Sequence, residues 1–195
     1  MEAKKYTFSL ILPVCNEEET LQELFLRLDK VMGELEKSYE VICVDDGSTD
    51  RSFTILEEKA KDNSDYKVIK LSRNFGHQIA VTAGIDAAGG EAVIVLDADL
   101  QDPPEFIPDL IAKWKEGYDV VYAVRNKRTG SFLRKIAIKG TYRLINKITR
   151  IKIPVDAGEF RLMSRRVVDA LRKDIRERSR YLRGLSCWFL TLDFL

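Results

Sequence analysis

The chain has 195 residues, 45% of them hydrophobic, enough for one domain of ordinary size with a buried core, and its formal net charge is +1. No apolar run approaches the ~18 to 20 residues that cross a bilayer, Met1-Glu2-Ala3-Lys4-Lys5 lacks a signal-peptide pattern, and Cys15, Cys43 and Cys187 form no metal-ligand pattern and read as buried, reduced thiols of a cytosolic domain. The small net charge hides a division: residues 1–124 hold 13 Lys/Arg against 25 Asp/Glu, whereas 125–195 hold 19 against 6.

In chain order, the apolar run Phe8 to Leu12 predicts a first strand. It ends in Pro13-Val14-Cys15-Asn16-Glu17-Glu18 and leads into an amphipathic helix near 18–36, so Asn16 and Glu17 either cap that helix or meet a ligand. Glu40 to Val44 predicts a second strand, closed by Asp45-Asp46-Gly47-Ser48-Thr49-Asp50. There Gly47 can turn the chain and Ser48 or Asp50 can cap a helix near 51–62, while the acidic pair can accept hydrogen bonds from a ribose or a base. Lys67 to Leu71 predicts a third strand, followed by the polar cluster Lys70 to His77 and a helix near 77–88. The single histidine is expected to pack or cap rather than to catalyse.

Ala92 to Leu96 predicts a fourth strand that delivers Asp97-Ala98-Asp99-Leu100-Gln101-Asp102-Pro103-Pro104 at its mouth. Hard divalent cations prefer carboxylate and amide oxygens and leave positions open for phosphate, so this cluster points to a metal-held phosphate site and to a nucleoside diphosphate as first ligand. A solvated turn is the alternative. A helix near 104–116 and a fifth strand, Asp119 to Val124, complete the acidic part.

Repeated strand–helix alternation argues for a largely parallel sheet covered by helices, in which ligands bind beyond the carboxyl ends of the strands. The Pro13, Asp45 and Asp97 motifs all fall at such ends. No G-x-G-x-x-G follows the first strand and no G-x-x-x-x-G-K-S/T occurs, which disfavours dinucleotide dehydrogenases and P-loop NTPases.

Arg125 to Val155 holds ten basic residues and no acidic one, which suggests an anionic partner such as a phosphate-bearing substrate or a lipid surface. Within it, 131–149 reads as a helix whose Lys135, Lys139, Arg143 and Lys147 recur every four residues, a cationic stripe suited to anionic headgroups. Asp156-Ala157-Gly158-Glu159-Phe160-Arg161-Leu162 then returns two carboxylates. Gly158 permits a tight turn, and Asp156 or Glu159 could face a cleft as base or orienting group, with a loop pair between Glu159 and Arg161 as the alternative.

Pro13-Val14-Cys15-Asn16-Glu17, Asp45-Asp46-Gly47-Ser48-Thr49-Asp50, Arg73-Asn74-Phe75-Gly76, the Asp97 to Pro104 cluster and Asp156-Ala157-Gly158-Glu159-Phe160-Arg161 together resemble family 2 glycosyltransferases of GT-A fold. The nearest subgroup is similar to polyprenyl-phosphate glycosyltransferases, relatives of dolichol-phosphate mannose synthase and of bacterial undecaprenyl-phosphate glucosyltransferases. The resemblance implies an α/β, Rossmann-like GT-A fold, a mostly parallel central sheet flanked by helices, with a basic amphipathic C-terminal helical region. Residues 1–124 would be its nucleotide-sugar-binding part and 125–195 the acceptor- and membrane-facing part of the same domain.

By the same resemblance, Pro13, Cys15, Glu17, Val44 and Asp46 would line the base and ribose pocket, Asp97 and Ala98 would touch the nucleotide, and Asp99 with Gln101 would bind Mg2+ or Mn2+. Arg125 would contact the donor diphosphate or the acceptor phosphate, and Asp156 would sit near the anomeric centre. The implied activity is metal-dependent, inverting transfer of a hexose from a UDP- or GDP-sugar to undecaprenyl or dolichyl phosphate, in cell-envelope glycan synthesis. The implied location is the cytoplasmic face of the membrane, peripheral, with the 131–149 helix on an anionic surface. No nucleic-acid partner is expected, and a homo-oligomer is left open. The alternatives are a soluble glycan or protein acceptor, or an inactive nucleotide-sugar-binding scaffold. Two features depart from the pattern: Cys15 stands where an aromatic residue is common, and typical members continue beyond Arg183-Gly184-Leu185 with basic residues and often transmembrane helices, so the resemblance implies a truncated chain, integral only if a further C-terminal region carries such helices.

Overall fold

A computed structural model describes residues 6–124, 157–173 and 192–194. Strands β1 (Phe8–Val14), β2 (Tyr39–Asp45), β3 (Tyr66–Lys70), β4 (Ala92–Val95) and β5 (Val120–Val124) fall where the apolar runs predict them. Helices α1 (Leu21–Glu34), α2 (Ser52–Asp62), α3 (His77–Ala87) and α4 (Ile107–Lys115) lie between them. A sixth strand, β6 (Ala157–Ser164), precedes α5 (Arg165–Lys173), and a three-residue strand, β7 (Leu192–Phe194), follows.

The seven strands form one sheet in the order β3-β2-β1-β4-β6-β5-β7. β1 runs parallel to both β2 and β4, and β2 parallel to β3. Because the chain winds outward from β1 to β3 and then returns to place β4 on the other side of β1, the sheet has a switch point between the carboxyl ends of β1 and β4.

The sequence permits a tight turn at Gly158, with a loop pair of Glu159 and Arg161 as one alternative; instead Ala157–Ser164 is an eight-residue strand inserted antiparallel between β4 and β5. Its apolar residues are the reason: Phe160, Leu162 and Met163 are buried, and strand pairing on both edges satisfies the backbone that a loop would leave open.

All seven residues of β1 and all four of β4 are buried, as a strand covered on both faces requires. Leu10, Leu12, Val41, Cys43 and Ile94 pack with Leu24, Leu28 of α1 and Leu110, Ile111 of α4 in one core layer. Their alternating neighbours Ile11, Ile42, Val44, Val93 and Val95 pack with Ala80, Val81, Ile85 of α3 and Val167, Val168, Leu171 of α5 in the other. The fold is therefore a helix–sheet–helix sandwich.

Helix α1 owes its place to apolar residues spaced three and four apart, Leu21, Leu24, Phe25, Leu28, Val31 and Met32, all buried. Helix α3 packs closely because Gly84 has no side chain: a Cβ there would stand 2.4 Å from Ile11 Cγ2. Arg165 and Arg172 of α5 donate from Nε at 2.8 Å to the carbonyls of Gly90 and Ile85, fixing the far end of α3.

Candidate functional site

At the switch point lies a cleft of about 270 Å³ lined by Pro13, Val14, Cys15, Glu17, Asp46, Asn74, Gly76, His77, Ala80, Asp97, Ala98 and Asp99. The ends of β1, β2 and β4 and the start of α3 all contribute.

The first loop is built as a latch. Asn16, at a left-handed φ of 58°, accepts at Oδ1 from the Thr49 amide at 2.8 Å, and its own amide donates to Ser48 Oγ at 3.0 Å. Asn16 thus ties the β1 loop to the β2 loop. Glu17 lines the cleft, its Oε2 accepts from Thr20 Oγ1 at 3.3 Å, and its amide donates to Ser52 Oγ at 2.8 Å. Burial raises the Glu17 pKa, and the charges of Asp99 and Asp50 raise it further.

Asp46 is 3% exposed, and its carboxylate accepts two amides, Phe75 N at Oδ1 (2.7 Å) and Gly76 N at Oδ2 (2.9 Å). The loop it holds crosses Gly47, where φ is +71° and a Cβ would meet Arg73 C and Asn74 N at 2.5 Å; only glycine fits that crossing. Cys15 is partly exposed at the cleft and accepts from Asn74 Nδ2 at 3.2 Å. Burial raises its thiol pKa, so it is no thiolate nucleophile at neutral pH.

The third loop carries the acids. Asp97 is raised in pKa by burial, with His77 opposing and Glu159, Asp99 and Asp102 adding to the rise. Ala98 is buried, and its carbonyl accepts from Thr20 Oγ1 at 2.8 Å, which docks this loop on the start of α1. Asp99 lines the cleft and accepts at Oδ1 from the Gln101 amide at 3.0 Å, a turn that forces Leu100 to a left-handed φ of 59°.

Of the residues singled out in the sequence, Pro13, Cys15, Glu17, Asp46, Asp97, Ala98 and Asp99 meet in this cleft. Val44 does not: it is fully buried in the α3 core layer. Gln101 is exposed beside the cleft and outside its lining. Arg125, Asp156 and the 131–149 helix lie outside the described residues.

His77, expected to pack or cap, stands at the start of α3 and also at the cleft. It sets Nε2 at 3.7 Å from Asp97 Oδ1 and 3.9 Å from Glu159 Oε2. The signal was available: a lone histidine ending a polar cluster at a strand end, in a fold whose strand ends carry the ligand site. Glu159 is a candidate in the sequence, but its approach to Asp97 is not legible there, because pairing of β6 with β4 brings the two together.

Among the described residues no three of His, Cys, Asp and Glu converge as a self-sufficient metal site. A Mg2+-type ion does not need one, since it is held by one or two carboxylates with the rest of its shell from phosphate and water. Asp99 and Glu17 offer such hard oxygens, and the upward push that Asp99 exerts on Glu17 is the mutual repulsion that a cation would relieve.

Comparison with known proteins identifies relatives of the chain and of its fold. The chain is 50% identical over 182 residues to the uncharacterized glycosyltransferase YkcC of Bacillus subtilis, covering 93% of this chain and 56% of that protein. It is 43% identical over 182 residues to the undecaprenyl-phosphate 4-deoxy-4-formamido-L-arabinose transferase of Proteus mirabilis, again covering 93% and 56%. The chain thus spans little more than half the length of these relatives. Among solved structures, S. aureus TarS 1-349 superposes with a TM-score of 0.65 at 19% identity over 97% of this chain and 58% of TarS. Its complex with UDP-GlcNAc matches at 30% identity and a TM-score of 0.51 over 64% of this chain and 36% of TarS. Residues 9–172 match Glycosyl transferase family 2, and the chain belongs to that family.

Proposed function

We propose that this chain binds a nucleoside diphosphate sugar in the β1/β4 cleft and transfers its hexose to the phosphate of a polyprenyl phosphate. The observation that carries the reading is the convergence of Glu17, Asp46, Asp97 and Asp99 with Pro13 and Cys15 at the carboxyl ends of three strands. The UDP-GlcNAc complex of TarS supports a uridine nucleotide, and the Proteus mirabilis relative supports a polyprenyl-phosphate acceptor.

In the proposed reaction an acceptor phosphate oxygen attacks the anomeric carbon as the bond to the donor diphosphate breaks. The sugar inverts and the nucleoside diphosphate departs with the electron pair. A divalent cation, when bound, would neutralise charge growing on that leaving group, with Asp99 as a protein ligand and Glu17, in the cleft lining, or Gln101 as the second oxygen donor. Because the acceptor is already an anion near neutral pH, no strong base is required. Asp156 then orients the acceptor at the anomeric centre, and Arg125 supplies a counter-charge to phosphate.

The ten basic residues from Arg125 to Val155 would supply the positive charge for a lipid phosphate, which the acidic cleft by itself would repel. Among the described residues no helix is long and apolar enough to cross a membrane. We place the chain peripherally, against an anionic membrane surface.

The test is turnover: the chain, Mn2+ or Mg2+, a panel of UDP- and GDP-sugars and mixed polyprenyl phosphates, read by mass spectrometry of the lipid fraction. A glycosylated polyprenyl phosphate is the expected product. Sugar transferred only to soluble glycan, or donor bound without any product, would refute the assigned acceptor.

A further inference from the structure

Four ionisable groups, Arg161, Glu159, His77 and Asp97, form a row of alternating basic and acidic side chains that leads from the sheet interior to the cleft. Arg161 of β6 is fully buried, and among the described residues none of its three guanidinium nitrogens has a hydrogen-bond partner. Its ion pair is with Glu159, Nη2 to Oε2 at 3.4 Å. Glu159 Oε2 stands 3.9 Å from His77 Nε2, which stands 3.7 Å from Asp97 Oδ1.

Strand pairing explains the row. Residues 159 and 161 lie on the same face of β6, two apart. The antiparallel register sets Arg161 opposite Val95, so its continuation past the end of β4 sets Glu159 opposite Asp97. Two carboxylates brought together this way repel, and one would take a proton unless cations intervened. Arg161 stands behind Glu159, and His77, a cation when protonated, lies between Glu159 and Asp97. A buried guanidinium without hydrogen bonds is a costly thing to keep, and here its charge offsets that of Glu159.

We infer that Glu159, backed by Arg161, is a positioning residue: it holds His77 against Asp97 and thereby fixes the acidic loop in the geometry that receives the nucleotide diphosphate. This rests on the donor-cleft reading above. His77 touches the cleft directly, whereas Glu159 and Arg161 act through it.

Calorimetry of the chain with UDP or GDP and Mn2+ tests the inference, using His77→Gln, Glu159→Gln and the double variant. Each single change is expected to weaken nucleotide binding at least about fivefold, and the double variant no more than the weaker single, because coupled residues are not additive. His77 is partly exposed, so His77→Gln keeps the test open if Glu159→Gln does not fold. Glu40→Gln, at the other end of the sheet, controls for instability alone and is expected to keep wild-type affinity. Unchanged affinity in His77→Gln, full additivity in the double variant, or equal loss in Glu40→Gln would overturn the inference while leaving the donor cleft standing. A wild-type chain that binds neither UDP nor GDP would overturn the donor cleft, and this inference with it.

Discussion

The carboxylate of Asp46 accepts the Gly76 amide at 2.9 Å, so the segment that opens α3 hangs from the end of β2. The same carboxylate takes the Phe75 amide through its other oxygen. In Asp46→Asn one oxygen becomes an N–H donor facing a backbone N–H. The expected result is a loss of about 1–3 kcal/mol in urea unfolding, with weaker UDP binding, since Asn74, Gly76 and His77 all line the cleft. Wild-type stability in Asp46→Asn would show that the loop is held by other contacts.

Asp99 offers its carboxylate to the cleft and also shapes the Gln101 turn. Asp99→Ala is expected to abolish the part of UDP affinity that depends on Mn2+, while the metal-free part stays. Calorimetry with and without EDTA measures the two parts. A Mn2+ dependence that survives the substitution would refute Asp99 as a ligand.

His77 is the single histidine of the chain, so its ring protons titrate without overlap in NMR. Glu159 is the largest cause of its raised pKa, burial opposes, and the Asp97 charge adds to the rise from the ordinary 6.5. A group raised on folding contributes stability that is fully present below the unfolded pKa and is lost as pH rises through the folded one. Stability against urea should therefore fall as pH climbs from 6.5 through the measured His77 midpoint. A midpoint at or below 6.5 would contradict the charge row.

Glu40 marks the opposite end of the sheet. It is 1% exposed and accepts from Ser9 Oγ at 2.6 Å, Lys67 Nζ at 2.6 Å and the Gly89 amide at 2.7 Å. Burial alone would raise its pKa, but these three partners outweigh burial and hold it below the ordinary 4.5. Its contribution is thus present above pH 4.5 and lost as pH falls through the lowered value. Glu40→Gln should lose about 1–3 kcal/mol at neutral pH, and the gap to wild type should narrow in acid. Urea unfolding at two pH values measures both.

The sequence by itself determined the five strands from Phe8 to Val124, the four helices between them and the end of the sheet that carries the motifs. Those features depend on local patterns: apolar runs such as Ala92 to Val95, helical spacing such as Leu21, Leu24 and Leu28, and turn residues such as Gly47. Only the tertiary structure decided that Ala157–Ser164 enters the sheet antiparallel, that Val44 turns into the α3 core, and that Asp46 holds a loop thirty residues away by its backbone. The reason is separation along the chain. Which face of a strand meets which helix, and which carboxylate meets which cation, follows from pairing between segments such as β4 and β6 that no local periodicity links. For Glu159 and Arg161 the sequence leaves a cleft role and a loop pair both open until β4 lies beside them.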